Sequence, residues 1–240
     1  MLNQSDLLQT VAAYKEDSKD HFWEAVAALL ALAWPYRKEG FKFDNTFPLY
    51  DHALVYCIAM SDSCIASAKE RLDEAIESLE WDGDPWPEAF SVETEERFDM
   101  AGTHLLDLLA IWISIAAVNG WTKGYTRVMV SRYLTNPFLC PYWKDVPKDA
   151  LAWGRGYAKD IIEQLTLIGQ GIILSGARYA EQEDEKANGA TYYIRRRGST
   201  YDCPDCEEIA NKPIPIEVPF AILHPRCVCR AEYHNEPIPE

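Results

Sequence analysis

A chain of 240 residues, 48% of them hydrophobic, can bury a sizeable core, and a disordered protein is excluded. The formal net charge is −15, from 38 acidic against 23 basic residues, which excludes a general polyanion binder; any contact with nucleic acid has to be local. The opening MLNQSDLLQTVAAYKEDSKD carries neither a basic leader nor a continuous apolar run, so no signal peptide is expected and a cytoplasmic site of synthesis is.

In chain order, residues 20–34 (DHFWEAVAALLALAW) form the first predicted helix, rich in alanine and leucine and stopped by Pro35. KEGFKFDNTFPLYD is a predicted loop whose last residue, Asp51, could cap the next helix. That second helix is predicted from about 52 to 80. Its apolar positions Leu54, Cys57, Ile58, Cys64, Ile65, Leu72, Ile76 and Leu79 recur at spacings near three and four. The third runs over 94–118 and closes at Asn119-Gly120. Its apolar stretch LLDLLAIWISIAAV includes Asp107 and is shorter than the roughly eighteen residues of a membrane span, so a buried helix is expected and a membrane is not.

TKGYTRVMVSRYL predicts a short fourth helix, followed by the proline-marked loop NPFLCPYWKDVPKD. A fifth helix is predicted from Asp149 to about Gln182 and contains Gly154, Gly156, Gly169, Gly171 and Gly176. Each glycine costs about 1 kcal/mol against alanine in a helix interior, which implies close packing or a local break. Gly154-Arg155-Gly156 has only the start of a phosphate-loop pattern and is read as ordinary chain. After EQEDEKANGA the composition turns strand-like and proline-rich. The expected organisation is a helical domain, 1–185, and a small irregular C-terminal module, 186–240, too thin to hold by packing alone. The fold class is thus mainly α: a multi-helix body with a zinc-stabilised C-terminal module.

The metal expectation comes from C-x2-C, a gap of seventeen residues, then H-x2-C-x-C: Cys203, Cys206, His224, Cys227 and Cys229. Structural zinc takes four such ligands in a tetrahedron. The set read here is Cys203, Cys206, Cys229 and one of His224 or Cys227. Disulfides, core thiols and a thioredoxin-type pair are the alternatives, the last disfavoured because EEIANKPIPI offers little helix after the CxxC. A deaminase-type catalytic zinc wants His-x-Glu before Pro-Cys-x2-Cys, whereas here the histidine follows the CxxC. A structural ion, and no enzyme, is therefore expected.

The run T-Y-D-C-P-D-C, then L-H-P-R-C-V-C-R, resembles the closing motif of phage head morphogenesis proteins, the Mu F-like minor head family. Cys203 and Cys206 match its first pair; His224, Pro225, Cys227 and Cys229 match its second part, with Arg226 and Val228 as departures. The resemblance covers residues 192–231. It implies a virion component assembled in the host cytoplasm, a minor head or head–tail connector protein near the portal. Its partners would be portal, capsid or neck and tail proteins, with further copies in a symmetric assembly and packaged DNA within reach. A zinc-dependent phage-associated hydrolase or nuclease, and a zinc-ribbon nucleic-acid adaptor, are the alternative functions.

Arg195, Arg196 and Arg197, beside Tyr192, Tyr193 and Tyr201, form the one dense basic run and the weak candidate for nucleic acid. The eight tryptophans include candidates for interface anchors.

Overall fold

The computed structural model describes residues 2–86, 88–133, 161–198, 204–220 and 229–238. Its elements are α1 (Gln4–Ala33), a 3-10 turn (Trp34–Tyr36), α2 (Tyr50–Ile76), α3 (Glu88–Val118), α4 (Lys123–Tyr133), α5 (Ile161–Ala187), β1 (Tyr192–Arg196), α6 (Pro204–Ile209), β2 (Pro213–Pro215) and β3 (Arg230–His234). The fold is mainly α-helical with a small antiparallel sheet in the order β2-β1-β3. The start of the predicted fifth helix, Gly154 and Gly156 lie outside the described residues.

The helices differ from their predicted bounds at their ends. α1 begins sixteen residues before the predicted start because Asn3 caps it: its Oδ1 accepts from the Ser5 amide at 2.9 Å and its carbonyl from Leu7 at 3.1 Å. Pro35 ends the α-helix as expected, and the chain leaves through the 3-10 turn. α2 stops at Ile76, short of the predicted 80.

Contacts group the chain into two compact units, one of Met1–Tyr14, Ser67–Ser91 and Gly169–Glu240, the other of Lys15–Ala66 and Val92–Ile168. In this grouping the C-terminal sheet shares a unit with the second half of α5.

The second unit is an apolar helical core. Phe22, Leu29, Phe98, Leu105, Leu109, Ile113 and Trp112 are buried, so the apolar stretch of α3 is core. α3 is also long and apolar enough to cross a membrane, judged by length and composition alone. α2 and α3 approach closely: Cys57 Sγ lies 3.6 Å from the Gly102 carbonyl, and the Ser61 hydroxyl donates to the Phe98 carbonyl at 3.4 Å. Burial pushes the Cys57 thiol up to about 12, which leaves it a packing group and no nucleophile. Phe41, Phe43 and Phe47 pack edge to face, centroids 5.1–5.4 Å apart, and give the predicted loop its own small core.

In the first unit two of the α5 glycines are explained by packing. A methyl group at Gly169 would fall inside the Tyr14 ring, and one at Gly176 would strike Leu72 and stand 2.9 Å from the Pro85 carbonyl. Gly171 faces open space, so nothing in its surroundings requires glycine.

Candidate functional site

The C-terminal module holds the residues singled out in the sequence. β1 is its central strand. Tyr193 pairs across from Ile214 of β2 and Tyr233 of β3; Tyr192 lies opposite Pro215 and His234. The prolines of β2 fit because that strand is an edge, where a missing amide donor costs no ladder bond. Thr191 extends the ladder on both sides, donating to the His234 carbonyl at 2.8 Å and accepting from Ile216 at 3.1 Å.

The period of two along β1 sorts its side chains. Tyr193 and Arg195 go inward and are 1% exposed. Tyr193 packs with Phe220 and Tyr233, and Ala190, Cys206, Ile216, Cys229 and Ala231 complete the cluster. Burial raises the Tyr193 phenol above its ordinary range. On the other face the Tyr192 ring stacks on His234, centroids 4.7 Å apart and planes 8° from parallel.

The basic run is spent inside the module. The Arg195 guanidinium sits 4.2 Å over the Phe220 ring. Arg196 donates to Glu232 at 2.6 Å and to Asn211 Oδ1 at 2.8 Å; Asn211 adopts φ 61° and its amide donates to the Arg195 carbonyl. The hydrogen bond from Arg196 holds the Glu232 carboxyl below the usual range and raises the guanidinium in return. Arg197 pairs with Glu207. All three cations thus have aromatic or acidic partners within the chain.

The module is fastened to α5 by groups that sequence reading missed. The buried Gln182 acts as a clamp on the loop after β2. Its amide donates to the carbonyls of Ile216 at 2.5 Å and Val218 at 2.9 Å, and its oxygen accepts from the Phe220 amide at 2.8 Å. One turn earlier Arg178 pairs with Glu181 at 2.6 Å, their side chains 3% and 0% exposed. Glu181 also accepts from the Leu2 amide at 2.7 Å, and Arg178 reaches Gln4. Tyr233 of β3 feels this pair: burial first, and Glu181 second, raise its phenol, with Arg178 opposing. The available signal was three polar residues, 178, 181 and 182, at helical spacing among the small apolar Ala177 and Ala180.

Of the five predicted metal ligands, Cys206 and Cys229 are brought together, both buried, with sulfurs 3.6 Å apart. Cys203, His224 and Cys227 lie outside the described residues. Among the described residues no group of three or more His, Cys, Asp or Glu could hold a metal ion, and two thiols do not make the four-ligand tetrahedron of structural zinc. The zinc cofactor and the zinc-stabilised module are therefore corrected. The physical reason is that strand pairing, the Tyr193–Phe220 cluster and the Gln182 clamp supply the cohesion that the metal was invoked to provide.

Compared with known proteins, the chain matches no family model, no curated protein and no solved structure. The resemblance to phage head morphogenesis proteins, which rested on the cysteine–histidine motif alone, is corrected too: no family model matches the chain, and the described residues lack a metal cluster. The virion, phage and metal-binding descriptions lose that support too.

Proposed function

We propose that this chain is a structural component that works by assembly with other protein chains and carries out no catalysis. The observation that supports this reading is the apolar surface of its helices. Val55 and Ile58, three residues apart on α2, are 62% and 52% exposed; Val118 at the end of α3 and Val128 on α4 are 61% and 62% exposed. Large aliphatic side chains grouped along helix faces suit packing against a neighbouring chain. The basic run is engaged within the chain, which favours a protein neighbour over nucleic acid.

For the setting we propose a bacteriophage particle, put together in the host cytoplasm, with the chain near the head–tail junction. Portal, capsid or neck proteins and further copies of the chain would be its neighbours. The test is gradient purification of particles from infected cells, followed by mass spectrometry of their proteins. The chain should co-sediment with the head and neck proteins at a fixed stoichiometry. Its recovery only as a soluble protein outside the particle fraction would overturn the setting. Loss of the exposed apolar residues (Val55→Ser with Ile58→Ser) without loss of any association would overturn the assembly role.

A further inference from the structure

We propose that the exposed face of α4 docks onto the acidic segment 67–84, which spans the last turns of α2 and the chain just after it, in a second copy of this chain. This names a partner for the assembly reading above and rests on it. The starting observation is a local reversal of charge. The whole chain carries −15, yet residues 118–133 hold Lys123, Arg127 and Arg132 and no Asp or Glu. α4 is anchored so that this face stays outward. The Thr122 hydroxyl accepts from the Tyr125 amide at 3.2 Å and caps the helix, while Thr126, Met129 and Val130 are buried. Tyr125 and Val128, one turn apart, are left 49% and 62% exposed, with Arg132 four residues beyond Val128. Trp121 stacks on the buried Trp112 and meets the Tyr125 ring edge-on at 5.0 Å, so the aromatic part of the face is held rigidly. Along the exposed arc of α4, Val128 has Tyr125 and Arg132 on one flank and Lys123 and Arg127 on the other, by helical spacing; a rigid aromatic with arginines beside it is the kind of anchor that protein interfaces favour.

The complement is present in the same sequence. Residues 67–84 carry seven acidic residues against two basic ones, and one of the latter, Arg71, is already paired with Glu74 at 3.0 Å. Asp73, Glu77, Glu80, Asp82 and Asp84 are exposed. At physiological salt the screening length is about 8 Å, so the repulsion of two acidic chains is largely screened while contacts between opposite charges persist. A polyanion would fit the face in sign alone, but it would also have to approach a strongly acidic protein. A second copy supplies the matching acidic surface. Because the two patches differ, the contact is heterologous, and in a pair one copy keeps its acidic segment unused and the other its α4 face.

The experiment is sedimentation velocity on the full chain at about 0.15 M salt over a wide concentration range, with Lys123→Glu/Arg127→Glu and Glu77→Lys/Glu80→Lys as charge-reversed variants. All four positions are exposed, and circular dichroism checks that both variants keep their helices. The natural chain should form concentration-dependent oligomers. Each variant alone should associate at least about tenfold more weakly, and an equimolar mixture should recover association, because the reversed faces then match. Tyr125→Ala, which leaves charge untouched, should weaken association by about tenfold as well. A monomer at every concentration, variants that associate like the natural chain, or a mixture that stays monomeric would each overturn the inference. So would loss of duplex-DNA binding, with self-association intact, in the Lys123→Glu/Arg127→Glu variant. A chain monomeric in solution but present in the particle overturns this docking alone. Docking that behaves as expected, in a chain absent from the particle, overturns the phage setting and leaves the docking standing.

Discussion

The helical core around α3 and the C-terminal sheet hold themselves together in different ways. In the first, Phe22, Leu29, Leu105, Leu109 and Ile113 meet as apolar side chains, and burial of their surface is the main cohesive force. In the second, strands of three to five residues bury one small apolar cluster around Tyr193. Beside strand pairing and the Tyr193–Phe220 cluster, their cohesion comes from a few polar side chains: Gln182, which bonds the backbone of the 216–220 loop, and Arg196, which bonds the Asn211 side chain at the end of β1. An apolar core degrades gradually as side chains shrink. A polar clamp fails at one atom, because a buried group that loses its partner keeps its full desolvation cost.

The sharpest way to break the comparison is Glu181→Ala. It removes the partner of Arg178 where both are buried, and it removes the acceptor for the Leu2 amide. Breaking a buried pair from one side costs about 3–5 kcal/mol. Urea unfolding should show a loss of that size. Exchanging both residues together, Arg178→Met with Glu181→Leu, should cost far less than Glu181→Ala, since no buried charge is stranded. Equal losses in the two variants would mean that the pair is not what fastens this part of α5.

The contrast also explains what could be read from the sequence. The long helices were legible because spacing near three and four repeats over many residues, as at Leu54, Cys57, Ile58, Cys64, Ile65 and Leu72. The start of α1 was not, because its signal is one capping residue, Asn3, ahead of a weakly apolar run. β1 was legible in outline from its strand-like residues, Tyr192 to Arg196, whereas β2 and β3 were not: prolines interrupt the one and the other is five residues with no apolar alternation. Their fastening was hidden, since a glutamine on α5 that reaches carbonyls more than thirty residues away has no local signature. Cys206 and Cys229 do lie side by side, yet the step from neighbouring thiols to a metal was one that spacing could not carry.

Gln182→Ala should come next in size. It leaves the Phe220 amide and the Ile216 and Val218 carbonyls without their partner; Val218 is exposed, so water reaches part of this loop and the whole loss should be about 1–3 kcal/mol. Hydrogen exchange should report the loss locally, with faster exchange over 214–220 and little change in α3. Uniform acceleration along the whole chain would show that the sheet and the core unfold as one unit.

Gly169→Ala tests tight packing inside the first unit. The added methyl group meets the Tyr14 ring, which is fully buried and has nowhere to turn. Overpacking of this kind costs about 1–3 kcal/mol, and Tyr14→Leu in the same chain should recover most of it. Gly171→Ala, with open space around it, should be neutral or slightly stabilising through helix propensity. A cost at 171 equal to that at 169 would refute packing as the reason for glycine.

The smallest effect belongs to Glu232, whose ion pair with Arg196 lies at the surface of the sheet at 2.6 Å. Its folded carboxyl is depressed, first by the hydrogen bond from Arg196 and then by the charges of Arg196, His234 and Arg230 around it. A depressed folded carboxylate contributes stability that is fully present above its unfolded value, near the ordinary glutamate pKa of about 4.3. That contribution disappears as pH falls through the lower folded value. The natural chain should therefore be slightly more stable than Glu232→Gln at neutral pH, and the gap in Tm should close as the solution is acidified below the ordinary glutamate range. Solvent screens such a pair, so the gap should be well below the losses at Glu181, Gln182 and Gly169, and added salt should narrow it. A gap that persists unchanged in acid would mean that the glutamate acts through its packing beside β1, and would bring the exposed side of the sheet closer in character to the apolar core.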